Sequence, residues 1–253
     1  MTTSTTPLAA VISGGATGIG RATADALAAD GYHVVLIGRR EEKLRAAVGE
    51  LHAAGASASW ISGDASDATA MARVAEQVAA AHDVVDAVVN NAGGGSAPHD
   101  GSLVGVAGAW RHVFEQNVMS AVLLTEALAP LLRRPGGRIV LVSSMAARSG
   151  GGSPEYAAAK AALHGWVLAL TTRYAREGIT ANVVAPGYTP DTELFGDGLP
   201  AEIHDRIVSR IAVGRAGRSA DVAAAIRYLV SPDASFVTSQ VLEVSGGVMP
   251  PNL

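Results

Sequence analysis

Cysteine is absent from the 253 residues of the chain. This absence excludes disulfide bonds, zinc sites built on thiolates and a cysteine nucleophile. Aromatic residues make up only 4% of the chain, whereas there are 29 glycines, so we expect tight turns and close helix packing rather than an aromatic-rich binding surface. Charged residues are also few, at 17%, and the formal net charge of -4 argues against nucleic acid as the main partner.

Membrane-spanning and targeting segments are lacking as well. No apolar run approaches the roughly 18 residues that a spanning helix needs. Residues 1–7 are uncharged and lack the basic and apolar regions of a signal peptide. The hydrophobic fraction of 49% excludes a disordered chain. We therefore expect a soluble, cytoplasmic protein whose residues 1–253 form one domain, as α/β folds of about 250 residues often do.

Short apolar runs alternate along the chain with longer segments of helical periodicity. This alternation predicts an α/β fold of the Rossmann type, with a doubly wound, seven-stranded parallel sheet and helices on both faces. The predicted strands are 8–13, 32–37, 57–61, 84–90, 138–143, 179–185 and 240–244, and the predicted helices are 18–30, 41–54, 68–81, 107–134, 154–177 and 221–230.

The least regular part of the chain is 187–218, which contains most of the late glycines and prolines. Long irregular insertions in compact domains are often lids, so we predict a substrate lid here. Its apolar side chains indicate an apolar pocket, and its acids could recognise polar groups. These candidates are Tyr188, Leu194, Phe195 and Ile203, with Asp191, Glu193 and Asp197.

A glycine-rich turn joins the first predicted strand to the first predicted helix. Its glycines permit close approach of the backbone to a pyrophosphate, and the helix N-terminus offers free N–H groups to that anion. The spacing Gly-x-x-x-Gly-x-Gly is neither the usual dinucleotide fingerprint nor a Walker loop, so a simple tight turn is the alternative. The cofactor-binding candidates in this turn are Ser13, Gly14, Thr17, Gly18, Ile19 and Gly20.

Two arginines follow the second predicted strand, from which Gly38 separates them. An enzyme that prefers NAD usually carries an acid at this point to bind the ribose hydroxyls, and this chain has none. The guanidinium groups of Arg39 and Arg40 instead suit a 2′-phosphate. We predict NADP(H) as the cofactor with Arg39 as the main contact; the alternative is that both arginines only begin a solvated helix.

Tyr156 and Lys160 are four residues apart on a predicted helix that begins after Ser153. This spacing places the phenol and the ammonium on one face. An ammonium about 4 Å away, together with the helix dipole, would lower the phenol pKa from about 10 toward 7, where tyrosine can act as a general acid and base. Because Tyr-x-x-x-Lys is common on helix surfaces, the motifs elsewhere in the chain must support this interpretation.

Taken together, these motifs resemble the short-chain dehydrogenase/reductase superfamily, and in particular its 3-oxoacyl-carrier-protein reductases. They follow the order of that superfamily at nearly its spacing and span almost the whole chain. The matching motifs are Ser13-Gly14-x-x-x-Gly18-x-Gly20, Asp64, Asn90-Asn91-Ala92-Gly93, Asn117, Ser143-Ser144, Tyr156-x-x-x-Lys160 and Pro186-Gly187.

The resemblance implies a role for each catalytic residue. Tyr156 would exchange a proton with the substrate, and a serine hydroxyl would orient the substrate carbonyl. Lys160 would also bind the nicotinamide ribose, and Asn117 would kink the long helix and hold a water in a proton relay to Lys160. For the cofactor, the resemblance implies that Asp64 and Ala65 meet the adenine and that Asn90 stabilises the central strand. The further contacts that it implies are Asn91, Ala92, Gly93, Tyr156, Lys160, Pro186, Gly187, Thr189 and Thr192.

The sequence offers two candidates for the catalytic serine. The usual spacing to the tyrosine gives Ser143, whereas the local pattern Ser-x-x-small gives Ser144. Side-chain alternation from Ile139 sends residues 139, 141 and 143 to one face of the strand. We favour Ser144 and keep Ser143 as the alternative.

The resulting hypothesis is an NADPH-dependent reductase of ketones or aldehydes. An alcohol or sugar dehydrogenase using NAD(P)+, or a cofactor-binding regulator without turnover, are the alternatives, although a regulator has no need of the intact catalytic set. No Gly-x-Ser-x-Gly elbow supports a hydrolase, and no His-x-x-x-His pair supports a metal site. Glu177 stands where carrier-protein reductases often have an arginine for the acidic carrier, although Arg133, Arg134 and Arg176 are nearby, so a carrier-bound substrate stays open. The resemblance also implies a homotetramer, in agreement with the apolar stripe Leu163, Trp166, Val167 and Leu170.

Overall fold

The computed structural model describes residues 7–196 and 198–248. Residues 1–6, which belong to the uncharged start of the chain, and the candidate lid acid Asp197 lie outside the described residues. None of the helices that the structure describes is long and apolar enough to cross a membrane.

The centre of the molecule is a seven-stranded sheet in which every pairing is parallel and the order is β3-β2-β1-β4-β5-β6-β7. The predicted fold class is therefore confirmed. Strands buried on both faces form continuous apolar runs, as in β1 and β5, where every residue is buried. The strands are β1 (Ala9–Ser13), β2 (His33–Gly38), β3 (Ala58–Ser62), β4 (Ala87–Asn90), β5 (Arg138–Val142), β6 (Thr180–Pro186) and β7 (Val241–Val244).

Helices cover both faces of this sheet. The α-helices of the described residues are α1 (Gly18–Ala29), α2 (Glu41–Ala53), α3 (Ala68–Ala81), α4 (Leu103–Phe114), α5 (Ser120–Leu128), α6 (Ala146–Ser149), α7 (Pro154–Tyr174), α8 (Ala201–Val208) and α9 (Ser219–Val230). One core cluster holds buried side chains of α3, α5 and α7, and the other holds those of α1, α2 and α9. Leu163, Val167 and Leu170 belong to the first cluster, so the apolar stripe of α7 is core and does not support an oligomer interface.

The prediction of one helix over 107–134 is wrong. The segment begins earlier, at Leu103, and its two helices α4 and α5 are separated by a π-helical turn, Glu115–Met119. Asn117 lies in this turn, and its amide Nδ2 donates to the carbonyl oxygens of Val113 and Gly94 at 2.9 and 3.0 Å. A side chain that bonds the ladder in this way accounts for the widened turn. The kink that the resemblance implied at Asn117 therefore takes the form of a π turn.

The segment 187–218 is more regular than its composition predicted. It contains the 3₁₀ turn Glu193–Phe195 and helix α8, which begins after Pro200. Hydrogen bonds hold the segment in the middle of α8 and beyond its C-terminal end. The Tyr188 hydroxyl bonds His204 Nδ1 at 3.0 Å, and the amide of Val213 donates to the carbonyl of Gly246 at 3.0 Å.

Candidate functional site

A cavity of about 1110 Å³ opens at the carboxyl ends of β1, β4, β5 and β6. It includes the gap between β1 and β4, where the strand order reverses and where open α/β sheets bind their ligands. All of the predicted catalytic and cofactor-binding residues line this cavity except Ser13 and Gly20. The fold therefore gathers residues that are far apart in the sequence into one crevice.

Ser13 and Gly20 lie behind the cavity wall and hold the glycine-rich turn in place. The hydroxyl of Ser13 accepts hydrogen bonds from the amides of Asn91 and Ala92 at 3.1 and 3.0 Å, which joins β1 to the end of β4. A Cβ atom at Gly20 would lie 2.1 Å from the carbonyl oxygen of Gly14, so only glycine fits there. Gly14 itself has a φ of +63°, which favours glycine.

At the adenosine end of the cavity, one carboxylate of the 187–218 segment lies among several donors. The guanidinium of Arg40 bonds Glu193 at 2.5 Å, Lys43 forms a second ion pair with it, and the Thr17 hydroxyl donates to it at 3.2 Å. Hydrogen bonds from Arg40 and Lys43 lower the pKa of Glu193 to about 2. Lys43 was missed by the sequence reasoning, although it follows Arg40 at helical spacing.

Arg39 and two acids of the 187–218 segment also have partners within the protein. Arg39 lies 3.8 Å from the carboxylate of Asp64 and is largely exposed. The idea that the lid acids recognise polar substrate groups is wrong for Glu193, which bonds cations, and for Asp191, whose carboxylate accepts from the amide of Ser219 at 2.9 Å. Asp191 thus holds the start of α9.

At the other end, the two candidate serines have different surroundings. The buried hydroxyl of Ser143 donates to the carbonyl of Lys160 at 2.9 Å and contacts His164 Nε2 at 2.9 Å. The hydroxyl of Ser144 accepts from the amide of Ala146 at 3.1 Å, lines the cavity together with Tyr156, and acts to lower the pKa of the Tyr156 phenol. This arrangement favours Ser144 for chemistry and gives Ser143 a role in fixing the backbone of α7.

The Lys160 side chain is buried. Its Nζ donates to the carbonyl of Val142 at 2.9 Å and lies 5.8 Å from the centre of the Tyr156 ring. Burial lowers the pKa of Lys160 to about 8. Burial also raises the pKa of Tyr156, and the neighbouring hydroxyl of Ser144 opposes this only in part. The expectation of a lowered phenol pKa is therefore wrong for this structure, because loss of solvent outweighs any attraction from Lys160.

Gly93 fills the narrow space between Asn117 and Lys160. A Cβ atom there would lie 2.6 Å from Asn117 Oδ1 and 3.1 Å from Lys160 Nζ. Asn117 Oδ1 also accepts from the amide of Gly94 at 3.3 Å. The π turn thereby supports the loop after β4 next to Lys160. Asn90 lies behind this loop, where its amide donates to the hydroxyl of Thr125 at 2.8 Å and ties β4 to α5.

Comparisons with known proteins agree with this geometry. A family model described as enoyl-(acyl carrier protein) reductase matches residues 14–249. The chain is 38% identical to the cis-4-hydroxycyclohexanecarboxylate dehydrogenase of Sinomonas cyclohexanicum, over 94% of this chain and 95% of that protein. It is 33% identical to the 3-oxoacyl-[acyl-carrier-protein] reductase FabG of Escherichia coli strain K12, over 94% and 96% of the two chains.

Two solved structures are similar over nearly the whole chain. One is a variant of actinorhodin polyketide ketoreductase with NADPH, with a TM-score of 0.85 and 30% identity over 96% of this chain and 97% of that chain. The other is a blue fluorescent protein from a metagenomic library in complex with NADPH, with a TM-score of 0.86 and 31% identity over 95% and 97%.

Proposed function

The chain belongs to the short-chain dehydrogenase/reductase family of oxidoreductases, which act on hydroxyl and carbonyl groups, and we propose that it reduces a ketone or aldehyde with NADPH. The observation that carries the proposal is the convergence of three features in one cavity. The glycine-rich turn, the cations after β2 and the Ser144–Tyr156–Lys160 group all line it.

The residues of the cavity fit a dinucleotide phosphate. Gly14 and Gly18 have positive φ angles, and the turn opens directly into the N-terminus of α1, which presents free N–H groups to a pyrophosphate. Arg39, Arg40 and Lys43 can neutralise a 2′-phosphate. The NADPH complexes of two similar structures support this choice of cofactor. When bound, the nicotinamide would supply the hydride.

Beyond these phosphate contacts, the cofactor sites that we propose follow the cavity from the adenine to the nicotinamide. Asp64 and Ala65 lie at the adenine end, and the other positions lie along the crevice. The full set that we assign is Ser13, Gly14, Thr17, Gly18, Ile19, Gly20, Asn91, Ala92, Gly93, Tyr156, Lys160, Pro186, Gly187 and Thr189, of which Ser13 and Gly20 act by shaping the turn.

The chemistry belongs to the hydroxyl groups of Tyr156 and Ser144. A substrate carbonyl oxygen placed between them accepts two hydrogen bonds, which stabilise negative charge as it develops on that oxygen. Because burial raises the pKa of Tyr156, the phenol keeps its proton at neutral pH and can give it to the substrate oxygen. Tyr156 is thus the general acid of the reduction, and Ser144 holds the carbonyl.

Lys160 and Asn117 position the reacting groups. The Lys160 side chain is held by the carbonyl of Val142 at the end of β5, beside Gly93. From there its ammonium would hold a ribose hydroxyl of the cofactor. Asn117 keeps the loop after β4 against this ammonium through its two hydrogen bonds to the backbone of Gly94.

The reverse oxidation of an alcohol uses the same groups with Tyr156 as the base. The phenol must lose its proton before it can act as a base. Because its pKa is raised, this direction should be favoured at alkaline pH. Relatives named as dehydrogenases support this second direction.

We also propose that residues 1–253 form one domain with 187–218 as its lid, and that the protein is a homotetramer. The lid assignment is supported by Tyr188, Leu194, Phe195 and Ile203, which line the cavity. An interface is supported by Leu103 and Val104 of α4, which are 88% and 83% exposed. Light scattering at micromolar concentration should give a mass well above the 25.6 kDa of one chain. A measured mass equal to that of one chain would contradict the oligomer.

The proposed reaction is tested by two assays on one sample. NADPH fluorescence measures binding, and the loss of NADPH absorbance with a panel of ketones and aldehydes measures turnover. We expect both signals. Binding without turnover on any carbonyl compound would instead indicate a regulator, and the absence of binding would reject the cofactor.

A further inference from the structure

The substrate end of the cavity carries an excess of positive charge. Arg148, Arg206 and Arg210 line it there, whereas Glu243 is the acid that lines this end among the described residues. The other lining acids, Asp64 and Glu193, pair with cations at the adenosine end. This excess is opposite in sign to the chain as a whole, whose net charge is -4.

Among the residues that the structure describes, two of these three arginines have no acidic partner. Arg148 forms an ion pair with Glu243, which leaves the excess on Arg206 and Arg210. Both are exposed, and neither guanidinium forms an ion pair with any acid in the part of the chain that the structure describes. A cleft lined by unbalanced charge of one sign concentrates ligands of the opposite sign.

Helix α8 presents Arg206 together with apolar side chains, and the turn that follows the helix presents Arg210, whose amide donates to the carbonyl of Ile207 at 3.1 Å. Arg206 and Arg210 are four residues apart, as are Ile203 and Ile207, and all four line the cavity. Residues at this spacing are neighbours on one helix face. Two hydrogen bonds hold this segment over the site. The Tyr188 hydroxyl bonds His204 in the middle of α8, and the amide of Ala212, beyond the C-terminal end of the helix, donates to the carbonyl of Gly247.

We propose that the substrate is a carbonyl compound with an anionic group, a carboxylate or a phosphate, remote from the carbonyl. Its carbonyl lies between Ser144 and Tyr156, its apolar middle contacts Ile203 and Ile207, and its anionic end binds Arg206 and Arg210. A guanidinium matches both carboxylate and phosphate oxygens with paired hydrogen bonds. This inference rests on the proposed reductase function.

The test compares acids with neutral analogues that carry the same carbonyl. The carboxylate arm uses levulinate and its methyl ester, and the same pair lengthened by two methylene groups. The phosphate arm uses acetoacetyl phosphopantetheine and the neutral thioester acetoacetyl-N-acetylcysteamine. The variant is Arg206→Gln with Arg210→Gln. The control is Arg73→Gln with Arg111→Gln, which removes the same charge from exposed positions that do not line the cavity.

In one arm or both, the wild type should reduce the anionic compound with the higher kcat/KM. The α8 double variant should lose roughly tenfold in kcat/KM on that compound, mostly through KM, since an exposed ion pair contributes little and two act together. Its kcat/KM on the neutral analogue, and both values for the control, should change less than about twofold. The arm that responds identifies the anionic group.

Equal use of anionic and neutral compounds, with no effect of the α8 changes, overturns the anionic substrate and leaves the reductase proposal standing. Failure to reduce any compound of either arm or of the panel of ketones and aldehydes, by a protein that binds NADPH, overturns both proposals.

Discussion

The polar and charged side chains at the two ends of the cavity are held in place by different kinds of contact. At the catalytic end, Lys160 and Asn117 are buried, and their side chains bond backbone carbonyls of Val142 and Gly94. At the adenosine end, Arg40, Lys43 and Glu193 are about half exposed and bond one another. Buried groups fixed by the backbone have few alternative positions, whereas exposed ion pairs exchange partners at little cost. We therefore expect changes at the first end to affect chemistry and changes at the second to affect binding.

The pKa values show the same contrast. Burial lowers the pKa of Lys160 to about 8, whereas bonds with Arg40 and Lys43 lower the pKa of Glu193 to about 2. Loss of solvent disfavours the charged form of Lys160, and opposite charge favours that of Glu193. Only the buried group therefore changes its charge near physiological pH.

The largest effect should follow the loss of the phenol hydroxyl. In Tyr156→Phe, kcat should fall by about 10²–10⁴-fold, because positioned proton transfer contributes that much. NADPH binding, followed by fluorescence, should stay within about twofold, since the change removes a single hydroxyl. A variant that keeps more than about a tenth of the activity would show that another group supplies the proton.

Lys160 should make stability depend on pH. Its pKa of about 8 in the folded protein lies below the ordinary lysine value of 10.5. Between these values the unfolded chain binds more protons than the folded protein, so the folded state becomes more stable as pH rises. Relative to Lys160→Met, the wild type should gain about 1.4 kcal/mol of unfolding free energy per pH unit across this window. Urea unfolding without cofactor measures the unfolding free energy of both proteins at each pH. The same pH dependence in wild type and Lys160→Met would contradict the buried ammonium.

The two serines should separate chemistry from stability. Ser144→Ala should lower kcat by about 10²-fold, because a donor to the substrate oxygen is lost. Ser143→Ala should lower the unfolding free energy by about 1–3 kcal/mol, since the bond to the carbonyl of Lys160 disappears in a buried position. Kinetics and thermal unfolding of both variants provide the comparison. The reverse pattern would assign the chemistry to Ser143.

The smallest effect should occur at Glu193. Its carboxylate bonds Arg40, Lys43 and Thr17, which are the groups that we assign to the cofactor phosphates, so it competes with them. Glu193→Gln should tighten NADPH binding by roughly three- to tenfold, as expected for exposed ion pairs. Glu202→Gln is the matched control on the exposed start of α8. Weaker NADPH binding in Glu193→Gln would mean that this carboxylate closes over the cofactor instead.

The elements that depend on residues close together in the sequence were predicted correctly. Helix α3 has the bounds that were predicted, because Asp67 caps it by accepting from the amides of Thr69 and Ala70 and its apolar positions repeat at helical spacing. The alternation of apolar runs likewise predicted the parallel sheet. Each element in these patterns is recognised within one short segment, such as the 14 residues of α3.

The features that were missed depend on contacts between distant segments. In the π turn, the Asn117 side chain bonds the backbone of Gly94, 23 residues earlier. Glu193 bonds Arg40, which is 153 residues away in the sequence. The direction of the Tyr156 pKa depends on the position of the Lys160 ammonium, which bonds Val142 rather than the phenol. Helix α8 is short and stands among glycines and prolines, so its periodicity was too brief to recognise.

The central claim, a carbonyl reductase that depends on NADPH, is tested most directly by one ratio. The measurement is kcat/KM for NADPH against NADH, with wild-type protein and the same ketone. One well-formed bond from Arg39, Arg40 or Lys43 to the 2′-phosphate implies about a ten- to hundredfold preference for NADPH. Replacing Gly38 with Asp and Arg39 with Ala should remove it, because the new carboxylate repels the phosphate. Wild-type protein that uses NADH as well as NADPH, or that turns over neither, would contradict the account.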